Sequence, residues 1–174
     1  MKVAAAFPAF ALLAAAAACQ PQAETAEQAM ARMDTESAAA KTAIDSLARE
    51  FAMHFSAGHA DVVANSFYAE NATAMPPNAP MASGRAAIQA VLAEFMPMKP
   101  QLTITPQSVS ANGPVVIDRG VYSLTFTPPG ATAPVTDTGK YLAEWRLMDG
   151  KWMMVNDIWN SDLPPMPMAA PAKP

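Results

Sequence analysis

The stretch from Lys140 to Asn160, KYLAEWRLMDGKWMMVNDIWN, decides the fold class. From Lys140 to Met148 it alternates, with Tyr141, Ala143, Trp145 and Leu147 on one side and Leu142, Glu144, Arg146 and Met148 on the other. A period of two places these sets on opposite faces of a strand. Asp149-Gly150 follows, a pair suited to the two-residue hairpin turn whose central positions need positive φ. Lys151 to Asn160 then returns as a second strand, so the segment predicts a β-hairpin.

Upstream of the hairpin the strand pattern continues. Val115 to Thr127 alternates Val121, Ser123 and Thr125 against Tyr122, Leu124 and Phe126, and the Pro128-Pro129-Gly130 run opens a loop. Gln101 to Val109 carries Leu102, Ile104 and several Thr residues, a β-type composition. Before that point the period changes to that of a helix. Ile88, Val91, Leu92 and Phe95 share a face of a helix starting near Ser83 and Gly84 and ended by Pro97 and Pro100. Residues 71 to 82 pass through Pro76, Pro77 and Pro80, which forbid a continuous helix. A short helix over Ala60 to Phe67 buries Val62, Val63 and Phe67. Ile44, Leu47, Ala48, Phe51 and Phe55 define an earlier one, with Gly58 at its C-cap. Helices first and hairpin-connected strands after predict one α+β domain with an antiparallel sheet packed on three N-terminal helices.

The ends read differently. Met1 and Lys2 precede an apolar run from Val3 to Ala18, too short for a comfortable membrane span. Small residues Ala16-Ala17-Ala18 lead directly into Cys19, the only cysteine among the 174 residues. This arrangement resembles a bacterial lipobox, with Ala16 in place of the usual Leu, and implies export and an acylated Cys19 anchored in a membrane; the alternative is a plain secretory signal cleaved after an Ala, with Cys19 incidental or removed. A domain without a second Cys holds no internal disulfide. Gln20 after the Cys favours an outer-membrane, periplasm-facing location where the organism has one. The expected organisation is a signal peptide over 1–18, a tether over 19–37, the α+β domain over 38–164, and a Pro-rich tail over 165–174. With a net charge of −4 and no cluster of Lys or Arg, the chain lacks the electrostatic footprint of a nucleic-acid binder.

The order of helices, Pro loop, helix and long meander resembles the nuclear transport factor two-like superfamily, whose cone-shaped sheet wraps its helices around a pocket. Phe67-Tyr68-Ala69-Glu70-Asn71-Ala72 is similar to its segment after the second helix, and Ser83-Gly84-Arg85-Ala86-Ala87-Ile88 to its Gly-Arg-x-x-Ile helix start. Asp149-Gly150-Lys151-Trp152 and the ending Asp157 to Pro164 look like the SnoaL-like, domain-of-unknown-function branch. The resemblance covers about residues 38–164. The superfamily holds ketosteroid isomerases, dehydratases, polyketide cyclases and non-catalytic members, so fold alone assigns no function. On the isomerase pattern the base Asp falls at Pro76 and the oxyanion-donating Tyr near Phe51, so this resemblance argues against steroid-isomerase chemistry.

The remaining candidates are few. His54 lies beside the apolar face of the first helix, either as a base or as a hydrogen-bonded boundary residue, while His59 reads as a surface residue. Asp157 alternates with Val155 and Trp159 on the last strand. It either binds a hydroxyl or takes a proton, or it is structural and pairs with Arg85, Arg119 or Arg146. Tyr68, Met75, Tyr122, Tyr141, Trp145, Trp159 and Asn160 are the candidate lining of an apolar cavity with a few polar points. The 13 Met residues raise Cu(I) capture, but Met96-Pro97-Met98 and Met166-Pro167-Met168 are not matched with paired His ligands. No cofactor or metal is expected. The leading expectation is a small apolar or amphipathic ligand held in the cone. The alternatives are an isomerase, lyase or hydrolase using Asp157 and His54, and a homodimerising or docking module of the cell envelope.

Overall fold

A computed structural model gives the fold of residues 23–164. The signal segment 1–18, Cys19 and the tail 165–174 lie outside the described residues.

The first element, α1 (Ala26–Ser56), is a single helix of 31 residues that begins within the segment expected as a tether. It starts where Thr25 and Gln28 form a capping box, each side chain bonded to the other's backbone N–H. Ala40, Ile44, Ala48, Phe51, Ala52 and Phe55 bury one face, and the small alanines let the helix lie close on the sheet. The entry turns are also docked. Ser37 Oγ accepts from Ala111 N at 2.8 Å and Glu36 Oε2 from Gly113 N at 2.8 Å. At the other end Gly58 takes φ +82°, His59 N–H bonds back to His54 O, and the helix stops as the sequence predicts.

A second helix, α2 (Ala60–Phe67), runs without a break into strand β1 (Tyr68–Met75). This strand replaces part of the expected loop, which is confined to residues 76–81 before β2 (Ala82–Ser83). Its alanines, Ala69, Ala72 and Ala74, give no β-type signal; its conformation comes from pairing with neighbours that are remote in sequence. Gly84, at φ +85°, donates to Ala72 O at 2.8 Å and starts α3 (Arg85–Ala93). A short 3-10 turn at Met96–Met98 leads to the meander β3 (Gln101–Asn112), β4 (Val115–Phe126), β5 (Val135–Met148) and β6 (Lys151–Ser161). Asp149 (φ +50°) and Gly150 (φ +77°) make the predicted hairpin turn.

The strands form one curved sheet in the order β2-β1-β6-β5-β4-β3. It is mixed rather than wholly antiparallel, because β1 pairs in parallel with β6. The long return between those strands, through α3 and the meander, supplies the crossover that a parallel pair requires. One bulge matters for function. Trp145 pairs with Met154 but Glu144 pairs with Asn156, so β6 carries an extra residue at Val155. That insertion bends the strand and resets its alternation. The concave face packs Val116, Tyr122, Leu124, Phe126, Ala143, Trp145 and Met154 with the buried residues of the helices in one core.

Candidate functional site

The cone is not completely filled. A cavity of about 110 Å3 remains between the helices and the concave face. Phe51, Phe55 and Ala48 of α1, Leu92 of α3 and the following Phe95 form its apolar roof. Leu102, Ile104, Tyr122, Leu124, Tyr141, Ala143, Trp145, Met154 and Trp159 form the sheet side, with Asp118, Asp157 and Tyr68 as the polar points.

Strand register explains why the acids meet. Asp118 pairs across β4–β5 with Ala143, and Ala143 pairs across β5–β6 with Asp157. The carboxyls thus share one cross-strand row, separated only by a methyl group. Neighbouring strands lie about 4.8 Å apart, so the row places the two Cα atoms about 10 Å apart. Each acid is held by a tyrosine. Tyr141 Oη donates to Asp118, at 3.0 Å from Oδ2 and 3.2 Å from Oδ1. Tyr68 Oη donates to Asp157 Oδ2 at 2.6 Å. Near the sheet end a third pair repeats the theme, Tyr122 Oη donating to Asp137 at 2.9 Å while Asp137 also accepts from Ser161 Oγ.

Two glycines make room for these rings. Gly120 faces Tyr141 across β4–β5, and Gly139 faces Tyr122. A Cβ on Gly120 would come to 2.7 Å from the Tyr141 hydroxyl, and one on Gly139 to 2.6 Å from Tyr122 Cζ. Both are too close for any side chain, and the carbonyl oxygens of Thr105 and Asn160 lie closer still.

The electrostatics follow from burial. Asp118 is 1% exposed. Burial pushes its carboxyl up to about 6, against the stabilising hydrogen bond from Tyr141 and the influence of the Trp145 indole; Asp45 raises it and Lys41 lowers it. Asp157 is likewise pushed up to about 6 by burial, with the Tyr68 hydroxyl opposing and the charge of Asp118 adding to the rise. The phenols move up as well. Burial raises Tyr141 and Tyr122 first, and their partner acids add to it. Tyr68 is raised by burial and then by the charge and hydrogen bond of Asp157. The tyrosines therefore stay protonated and act as donors. The buried Trp145 N–H lies close enough to Asp118 to lower its carboxyl but makes no hydrogen bond of normal geometry.

Of the residues expected from sequence, Tyr68, Tyr122, Tyr141, Trp145, Asp157 and Trp159 converge on the cavity. Met75 and Asn160 are not among its walls. Met75 ends β1 opposite Ile158, and Asn160 is exposed, opposite Lys140 on the outer face. His54 also stays outside. Its ring lies 5.8 Å from that of His59 and 6.5 Å from Phe67, because Phe51 and Phe55 take the inward positions of α1. Asp157 pairs with Tyr68 rather than with an arginine. Arg85 instead donates to the Tyr68 carbonyl, at 3.1 Å from Nε and 2.9 Å from Nη2, and fixes the α2–β1 junction. Arg146 pairs with Glu144. The bulge replaces Val155 by Met154 on the cavity wall. Phe51 lines the cavity without a hydroxyl, and Pro76 lies beyond it.

Asp118 was not anticipated. A signal was present, since residues 116, 118, 120, 122, 124 and 126 alternate as the buried face of β4 and only one of them is charged. Gly120 interrupts the apolar series and hides it. Among the described residues no group of three or more His, Cys, Asp or Glu side chains could hold a metal ion.

Residues 48–155, more than half of the chain, match the family model described as the SnoaL-like domain. No curated protein matches. Solved structures share the fold at low identity. An NTF2-like protein with a cystatin-like fold from Novosphingobium aromaticivorans is 16% identical, with TM-score 0.61 over 78% of this chain and 89% of that one. A ketosteroid isomerase-like protein from Erwinia carotovora atroseptica is 16% identical, with TM-score 0.61 over 70% and 95%. A candidate scytalone dehydratase from N. aromaticivorans is 16% identical, with TM-score 0.63 over 74% and 89%.

Proposed function

The chain belongs to the SnoaL-like domain family, and from that premise we propose that it binds a small, mostly apolar or amphipathic molecule in its cone. The observation that carries this proposal is the cavity itself: apolar walls with few polar groups, chiefly two Asp–Tyr pairs whose acids share one cross-strand row. Such sparse, oriented polar groups in an apolar concavity are the usual make-up of a small-molecule site. The N-terminal sequence extends the proposal to an exported protein anchored through acylated Cys19, facing the periplasm.

Native mass spectrometry of the full chain, gently purified, tests the binding. An adduct of roughly one to three hundred daltons is expected, the mass range suited to a pocket of this class. A bare protein that also takes up no apolar fragment would remove the proposal. The anchor is tested separately, since Cys19→Ser should leave the protein unacylated and free of the membrane fraction.

One feature favours a second reading, an enzyme of isomerase, lyase or hydrolase type. Asp118 and Asp157 are both held near 6, where each can exchange a proton at neutral pH. In that case Asp118→Asn or Asp157→Asn abolishes turnover while His54→Ala does not. A homodimer is supported by the outer face of the sheet, where Leu142 and Ile158 are paired and 41% and 43% exposed. Leu142→Glu should then yield a monomer in sedimentation equilibrium.

A further inference from the structure

The charged groups that line the cavity are of one sign. Asp118 and Asp157 face it, and among the described residues no Lys, Arg or His does. The cation nearest in influence, Lys41, is occupied, with Nζ 2.8 Å from both Asp45 oxygens. Asp157 donates to nothing and receives from Tyr68, and Asp118 receives from Tyr141. Both acids are thus held as acceptors by tyrosines that remain protonated. A carboxylate offers about four acceptor sites, so each has capacity left that only a donor can use.

Both acids border the same cavity. Ala143 contributes only a methyl group to the row, and the aromatic side chains of Phe51, Tyr68 and Trp145 line that cavity too. Aromatic faces attract a cation, and the attraction is stronger away from water. A second demand comes from Trp145. It is 3% exposed, lines the cavity beside Asp118, and its indole N–H influences that carboxyl without reaching it in a hydrogen bond of normal geometry. An unmet buried donor costs free energy that a ligand oxygen would recover.

We propose that the cone selects a small amphipathic amine, its ammonium between Asp118 and Asp157, an adjacent oxygen accepting from Trp145, and its apolar body under Phe51, Phe55 and Leu92. This rests on the proposal that the cone binds a small molecule and names the chemical class. A protonated amine supplies three donors and the missing positive charge, which a neutral alcohol or ketone does not. A cavity of about 110 Å3, below the roughly 150 Å3 that holds benzene, limits the apolar body to a single ring at most.

The test compares 2-amino-1-phenylethanol with 1-phenylethane-1,2-diol, which share the ring and the inner hydroxyl and differ only in amine against hydroxyl. Titration of the full chain at pH 7.5 is followed by calorimetry and by fluorescence of Trp145 and Trp159. The amine should bind roughly tenfold tighter or more, the scale of a hydrogen bond to a charged group. Asp157→Asn, at the partly exposed acid, should bring that ratio to within about threefold by weakening the amine far more than the diol, and Asp118→Asn should do the same. Equal affinities, or a tighter diol, would overturn the cation proposal and leave small-molecule binding standing. Failure of both probes, together with a neutral apolar fragment that does bind, would also overturn it. Failure of every probe would remove both proposals at once.

Discussion

Tyr68 and Asp157 stand 89 residues apart in the chain and meet in a 2.6 Å hydrogen bond inside the cone. Tyr68 sits where α2 becomes β1, and Asp157 on the neighbouring strand β6. Arg85, at the start of α3, bonds the Tyr68 carbonyl. The position of the site's first polar contact is therefore fixed by elements from both halves of the fold.

Tyr68→Phe should destabilise the domain by about 1–3 kcal/mol, because it strands a buried acceptor. It should also lift Asp157 above its value of about 6, since the hydroxyl is the group opposing burial there. Urea unfolding measures the first effect and carboxyl NMR titration the second. An unmoved Asp157 titration would show that the bond contributes nothing to the carboxylate.

The two cavity acids give the domain an unusual acid response. Their folded values lie near 6, above the 3.8 of an unperturbed Asp, so between about pH 4 and pH 6.5 the folded state binds more protons than the unfolded one. Stability contributed by these groups is thus present at low pH and lost as pH rises through that window. Lys41 and Asp45 on α1, and Tyr141 and Trp145 on β5, set the environment of Asp118; Tyr68 and Asp118 set that of Asp157. Asp118→Asn and Asp157→Asn should each flatten the profile. The check is the urea midpoint at a series of pH values, wild type against variants. A wild-type profile that rises across this window as steeply as in the variants would contradict the assignment.

Gly120→Ala should be severely destabilising and should release Tyr141 from Asp118, because the new Cβ would collide with the Thr105 carbonyl oxygen and stand 2.7 Å from the Tyr141 hydroxyl and ring. Overpacking of this kind costs roughly 1–3 kcal/mol or more. Gly139→Ala should act in the same way on Tyr122, and the double replacement Gly120→Ala with Tyr141→Phe should not restore stability, since the ring remains. Thermal unfolding followed by near-ultraviolet dichroism reports both the loss and the altered tyrosine environment.

Ser37→Ala should cost about 1–2 kcal/mol, because Ala111 N–H is buried beneath it and loses its acceptor. Removing the chain before Ala38 should cost at least as much, since Glu36 and the capped first turns go with it. Equal unfolding midpoints for the truncated and full chains would mean that these turns add no stability.

Much of the fold was legible because it is local. The Asp149-Gly150 turn, the Gly58 stop, the alternation of β5 and the apolar series of α2 and α3 are each written within a few residues. So was the aromatic content of the cone, since Tyr122, Tyr141 and Trp145 hold inward positions that alternation alone predicts. The family resemblance of those strings also anticipated the pocket. Met75, Asn160 and His54 show where local pattern stops being enough, because Asn160 and His54 stand one position from the cavity residues Trp159 and Phe55, and Met75 lies at the far end of β1 from Tyr68.

By itself, then, the sequence determined the α+β class, the order of helices and strands, and the hairpin geometry, all through periodicity and turn chemistry acting over short range. Only the tertiary structure decided that Ala-rich β1 is a strand, because parallel pairing with β6 supplies what its propensity lacks. It also decided that residues 26–37 are docked helix and that the Val155 bulge turns Met154 inward. The row Asp118–Ala143–Asp157 belongs to the same class of fact. Its members are brought together by strand register, and register is set by pairing over long sequence separations that no local pattern encodes.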